Sequence, residues 1–160
     1  MSASHYYKAA RHLSRRFGIN AHDGPFDSTP RGWVESVTHE LAHGMVLKLP
    51  LLVVSEVYVA GTNEGRYSQM IGDAIRKKSS VGADMNECQT VAIELLALKR
   101  LKVRFNQEVL RDYAMGSMKK SGWNHTRLKR VVSWFARQER TKVLAQRIVE
   151  IFESYRLRNE

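Results

Sequence analysis

The segment Thr38-His39-Glu40-Leu41-Ala42-His43-Gly44 decides how the rest of the chain is read, because it holds an H-E-x-x-H pattern. On a helix, residues i and i+4 project from one face, so His39 and His43 can offer both imidazoles to one ion. Neutral imidazole is a good Zn²⁺ ligand. Glu40 follows the first histidine and is turned toward the open coordination position, where it can take a proton from metal-bound water. The flanks favour a helix. Thr29 reads as its N-cap, Pro30 as its first residue and Pro50 as its terminator, with Val34, Val37, Leu41 and Met45 as apolar cover. A catalytic zinc needs a third protein ligand and a free position for water, so the ion must draw a further ligand from elsewhere.

The second informative stretch opens at Asp84-Met85-Asn86-Glu87, which has the form of a capping box and predicts a long helix to about Met115. Its stripe of Glu87, Val91, Glu94, Leu98, Leu101 and Phe105 sets two carboxylates on a face that otherwise reads as buried. An ionised carboxylate there needs a cation, a hydrogen-bond network or water. A zinc held by two histidines is such a cation. The two glutamates stand about 10 Å apart along the axis at a rise of ~1.5 Å per residue. One can coordinate, and the other then hydrogen-bonds a ligating histidine or lies outside the ion's coordination sphere.

Thr38-His39-Glu40-Leu41-Ala42-His43-Gly44, followed by Asn86-Glu87-Cys88-Gln89-Thr90-Val91-Ala92-Ile93-Glu94-Leu95-Leu96, resembles the ImmA/IrrE metallopeptidases. These pair an H-E-L-x-H helix with a later helix reading roughly E-x-x-A-x-x-F-A-x-E-L-L. The resemblance covers roughly residues 30 to 98. It implies a zincin-like core of gluzincin arrangement, Zn²⁺ as cofactor and a peptide or protein as substrate. It also implies Glu87 as third ligand beside His39 and His43. The motif's glutamate falls one residue from Glu87, so Glu94 stays as the fallback. Glu40 is then the catalytic base, and His125, Tyr58 and Tyr67 are candidates for the oxyanion donor by residue type alone.

With 160 residues, 43% of them hydrophobic, the chain fits one domain over 1–160. A metallopeptidase core is expected over about 19–118 and a basic helical extension over 119–160. The expected fold class is α+β and helix-rich: the H-E-x-x-H helix, a small sheet, and the long second ligand helix. The best strand is Leu51–Val59. A basic amphipathic helix is expected over 5–17, a short one over Arg66–Lys78, and a mobile loop over Lys77–Gly82. The longest apolar run, Leu49–Val54, is too short to span a bilayer, and the N-terminus lacks a signal-peptide layout, which together predict a cytoplasmic, intracellular protein. A single cysteine, Cys88, excludes an internal disulfide framework and reads as a small core residue.

The net charge of +10 is unevenly spread: Lys99 to Arg147 holds 14 Lys and Arg against three acids. Such asymmetry points to nucleic acid or another polyanion as partner. Arg127, Arg130, Trp134 and Arg137 recur at helical spacing after His125 and can track a phosphate backbone and stack on a base. In the blander alternative Trp134 is a boundary core residue and the arginines are solvated. The function expected is a zinc metallopeptidase acting on an intracellular protein, with DNA-associated regulators among its substrates. The alternative is a nucleic-acid-binding accessory protein of a phage or mobile element, antirestriction-like, whose zinc site is structural or vestigial.

Overall fold

In the computed structural model the described residues are 3–19, 30–49, 66–104 and 122–158. A 3-10 turn, Ala3–Tyr6, runs into α1 (Tyr7–Phe17), and α2 (Pro30–Val46), α3 (Arg66–Arg76), α4 (Ser80–Arg100), α5 (His125–Ala136) and α6 (Glu139–Arg158) follow. Among the described residues there is no strand and no sheet, which corrects the α+β expectation to an all-helical architecture. The expected strand Leu51–Val59 lies outside the described residues, as do the cap Thr29, the terminator Pro50, Tyr58 and Phe105. The physical reason is visible in α4. Ala83, Cys88, Val91, Ala92, Ile93, Leu95, Ala97 and Leu98 bury it around most of its circumference. A helix apolar all round is an interior helix. Here α2, α5 and α6 cover α4, so helices do what a zincin sheet was expected to do.

The α1 face Tyr6, Ala9, Ala10, Leu13 and Phe17 is buried at the spacing the sequence predicts. Gly18 ends α1 in the left-handed region at φ 68°, which costs glycine nothing. Its carbonyl then accepts the Tyr67 backbone N–H at 2.8 Å, so the stop of α1 fixes the start of α3.

α4 departs from expectation at both ends. Ser79 caps it, its hydroxyl accepting the Gly82 N–H at 3.0 Å, so the expected loop over 77–82 already contains the first helical turn. Asp84 is not the N-cap; it lies buried one turn inside. The helix stops at Arg100, well short of Met115. Lys102 turns left-handed at φ 59° and Val103 N–H closes on the Leu98 carbonyl at 3.1 Å. α2 ends the same way: Lys48 is left-handed at φ 58° and Leu49 N–H reaches the Gly44 carbonyl at 2.8 Å. Both are Schellman closures with lysine where glycine is usual.

At the C-terminal end, Asn124 caps α5 by accepting the Arg127 N–H at 2.8 Å. Leu128, Val132 and Phe135 of α5 join Leu144, Ala145, Ile148 and Phe152 of α6 in the same core as α2 and α4, while Val143 faces out. The Tyr6 hydroxyl donates to Glu153 at 2.6 Å, tying the first turn to α6. No described helix is long and apolar enough to cross a membrane.

Candidate metal centre

α2 presents His39 and His43, one turn apart, to α4, which returns Glu87 between them. The carboxylate reaches both rings: Oε1 lies 3.1 Å from His39 Nε2 and Oε2 lies 2.8 Å from His43 Nε2. The imidazoles stand 4.6 Å apart and nearly perpendicular. His39, His43 and Glu87 each bring one ligand atom to a common point, all within 4.8 Å of one another. Ligands placed tetrahedrally at ~2.0–2.1 Å around Zn²⁺ stand roughly 3.3 Å from one another, so these three donors are grouped as an ion's ligands are and would draw closer around one.

The opposite ring nitrogens are also held. His39 Nδ1 bonds Glu94 Oε2 at 2.7 Å, and His43 Nδ1 bonds Asn86 Oδ1 at 2.8 Å with the Thr90 hydroxyl at 3.2 Å. An imidazole whose Nδ1–H is committed to an acceptor turns its Nε2 lone pair to a metal. Of the two carboxylates on the α4 stripe, Glu87 therefore belongs to the group that can hold an ion, and Glu94 stands behind His39. Glu94 is fully buried, and its second oxygen meets no donor among the described residues.

The electrostatics follow from this crowding. Burial works to lower the His39 pKa, but the Glu94 and Glu87 carboxylates outweigh it and hold it well above the ordinary imidazole value. Burial likewise works to raise Glu87, and the two histidines overcome it, holding its carboxyl far below the usual range. For Glu94 burial wins, and its pKa is raised despite His39.

Glu40 sits beside His39 on α2, one step around the helix. On that side Tyr67 packs over Gly44: a Cβ at residue 44 would lie 1.8 Å from the phenol oxygen. The glycine thus makes the seat for a tyrosine ring that is almost wholly buried. Burial, and then the nearby Glu40 charge, push the phenol up to about 12, so Tyr67 keeps its proton at neutral pH. Its hydroxyl donates at 3.4 Å to the Leu49 carbonyl, a weak bond. Of the other oxyanion candidates, His125 is exposed at the start of α5. Cys88 is buried against the Leu128 carbonyl, its thiol pushed up to about 12 by burial, and takes no part in the group.

Sequence reasoning missed Asn86 as a partner of His43, treating it as part of a capping box, and missed Thr90 altogether. The signal was present: Asn86, Glu87, Thr90 and Glu94 follow one another at helical spacing, a polar stripe on an otherwise apolar helix. Away from this centre, Arg127, Arg130, Trp134 and Arg137 line a single groove along α5. Compared with models of protein families, with curated proteins and with solved structures, the chain matches none.

Proposed function

We propose that this chain is a zinc-dependent hydrolase of the H-E-x-x-H type that cuts peptide bonds in proteins. The observation that carries the reading is the Glu87 carboxylate lodged between the Nε2 atoms of His39 and His43 while Glu94 and Asn86 hold the opposite nitrogens. A merely solvated pair of surface histidines has no use for four supporting groups from one buried helix. The resemblance to the ImmA/IrrE metallopeptidases supports zinc as the ion and the peptide bond as the substrate.

Bound to His39, His43 and Glu87, zinc would supply a Lewis acid and a water of pKa near 7. Glu40, next to His39 on α2, would serve as the general base that holds a proton during hydrolysis and hands it to the leaving amine. Glu94 and Asn86 keep the two rings in register. Tyr67, almost wholly buried with its hydroxyl on the Leu49 carbonyl, braces the Glu40 side of α2 over Gly44.

The test combines metal analysis with cleavage of a proteome-derived peptide mixture read by mass spectrometry. Wild type and Glu40→Gln should each carry one zinc per chain, and His43→Ala none. Cleavage should disappear on chelation and fall by about 10²- to 10⁴-fold in Glu40→Gln. A Glu40→Gln protein that cuts like wild type would end the hydrolase reading, as would a wild type that takes up no zinc.

A further inference from the structure

On α4, Met85 and Glu87 are two residues apart and so point to opposite sides of the helix. Glu87 meets the histidines, whereas Met85 enters the floor of a groove of about 800 Å³ along α5. We propose that this groove binds single-stranded nucleic acid, a reading that stands on α5 and Met85 and is independent of the hydrolase assignment.

Three observations carry it. The floor is largely apolar, formed by Met85, Val131 and the indole of Trp134. Trp134 is 49% exposed, although Leu128, Val132 and Phe135 already supply the core face of α5, so the packing does not require an indole here. Its ring is braced edge-on against buried Phe135, centroids 5.0 Å apart, which steadies the indole where it lines the groove. The rim is cationic: Arg127, Lys129, Arg130 and Arg137 line the groove, and among the described residues no carboxylate does. The Arg127 guanidinium lies 4.4 Å over the Trp123 ring while its backbone N–H is held by the Asn124 cap, so its position is fixed in advance.

An apolar floor inside a cationic rim asks for a ligand that is both anionic and flat-ringed. Single strands present unstacked bases and phosphates together, and pair aromatic platforms with basic grooves in this way. A duplex keeps its bases stacked inside and would meet only the rim, leaving Trp134, Val131 and Met85 unused. An acidic peptide would neutralise the rim but offers no regular series of flat rings. The volume lies within the ~300–1,000 Å³ of sites that enclose small-molecule-sized groups, enough for splayed bases.

The experiment is fluorescence anisotropy with the full chain, metal-loaded and chelated, against a labelled 15-nucleotide oligo-dT, the corresponding duplex and an oligo-glutamate peptide over a salt series. The oligo-dT should bind tightest, in both metal states and equally in Glu40→Gln, and weaken steeply with salt. Trp134→Ala should weaken it by about 5- to 100-fold. Arg130→Glu with Arg137→Glu should weaken it at least tenfold and flatten the salt slope. These side chains are exposed, so the variants should melt like wild type. Binding unaffected by either change, duplex or peptide binding at least as tight as the single strand, or no binding at low salt would each overturn the proposal.

Discussion

Glu94 holds His39 by Nδ1 at 2.7 Å while Glu87, two turns earlier on the same helix, meets that ring's other nitrogen at 3.1 Å. One imidazole is thus gripped from both sides by α4, and the two carboxylates carry separable roles. Glu87→Gln removes a charged ligand atom, whereas Glu94→Gln keeps an acceptor for Nδ1–H and removes only its charge. We expect Glu94→Gln to weaken zinc binding by about 10- to 100-fold and Glu87→Gln to weaken it further. Competition against a chromophoric chelator reads both. The reverse order would make Glu94 the ligand.

Gly44 and Tyr67 form the second dependent pair. A methyl group at residue 44 would strike the phenol oxygen at 1.8 Å, and the ring carbons behind it at 2.6 and 2.8 Å. The ring is buried and anchored through its own N–H to Gly18, so it has little room to withdraw. Gly44→Ala should therefore cost about 1–3 kcal/mol of stability by overpacking. Tyr67→Leu in the same chain should recover part of that loss, since the clashing atoms are gone. Urea denaturation of the two single variants and the double variant measures the coupling; losses that simply add within ~0.5 kcal/mol would show that the two residues do not press on each other.

How much of this could be read from the sequence depends on which forces were local. The spacing of His39, Glu40 and His43 needs only the helical period, and Pro30 and the apolar positions of α2 supply that helix. Glu87 and Glu94 stood out because two carboxylates interrupted an apolar stripe. The end of α4 was not legible. Lys102 and Lys48 close their helices in the left-handed region, where glycine is the usual signal, and beyond Lys102 the apolar pattern continues through Val103. Asp84 matched a capping box, yet the competing cap Ser79 lies one turn earlier and wins because Val81 and Ala83 extend the helix without a break. The sheet was inferred from the family pattern and one apolar run. What removes the need for it among the described residues is that α5 and α6 fold back on α4, a tertiary fact with no local signature.

Tyr67 also sets an alkaline dependence. Its phenol ionises near 12 in the folded chain, because burial and the Glu40 charge disfavour the phenolate, against about 10 for an unfolded tyrosine. The folded state therefore favours the neutral form. That contribution to stability is whole below pH ~10 and is lost as pH rises from ~10 to ~12. Spectrophotometric titration should show one tyrosine lagging the rest, and Tyr67→Phe should remove the late step. If every tyrosine titrates together near 10, the phenol is not buried beside Glu40 as described.

The His39, His43 and Glu87 group, which could hold a metal ion, joins α2 to α4, the two helices at the middle of the core, so an ion there should act as a staple on the whole chain. An ion that binds only the folded state stabilises it by about 2.7 kcal/mol when its free concentration is 100 times its dissociation constant. For a chain of 160 residues that is a rise in melting temperature of roughly 5–10 °C. Scanning calorimetry of the protein with zinc and with excess chelator should show this difference in wild type and in Glu40→Gln, whose ligands are intact. In His43→Ala the two melting temperatures should coincide. A wild type that melts identically with zinc and with chelator would mean that His39, His43 and Glu87 hold no structural charge between the helices, and the ion would have to be sought elsewhere or given up.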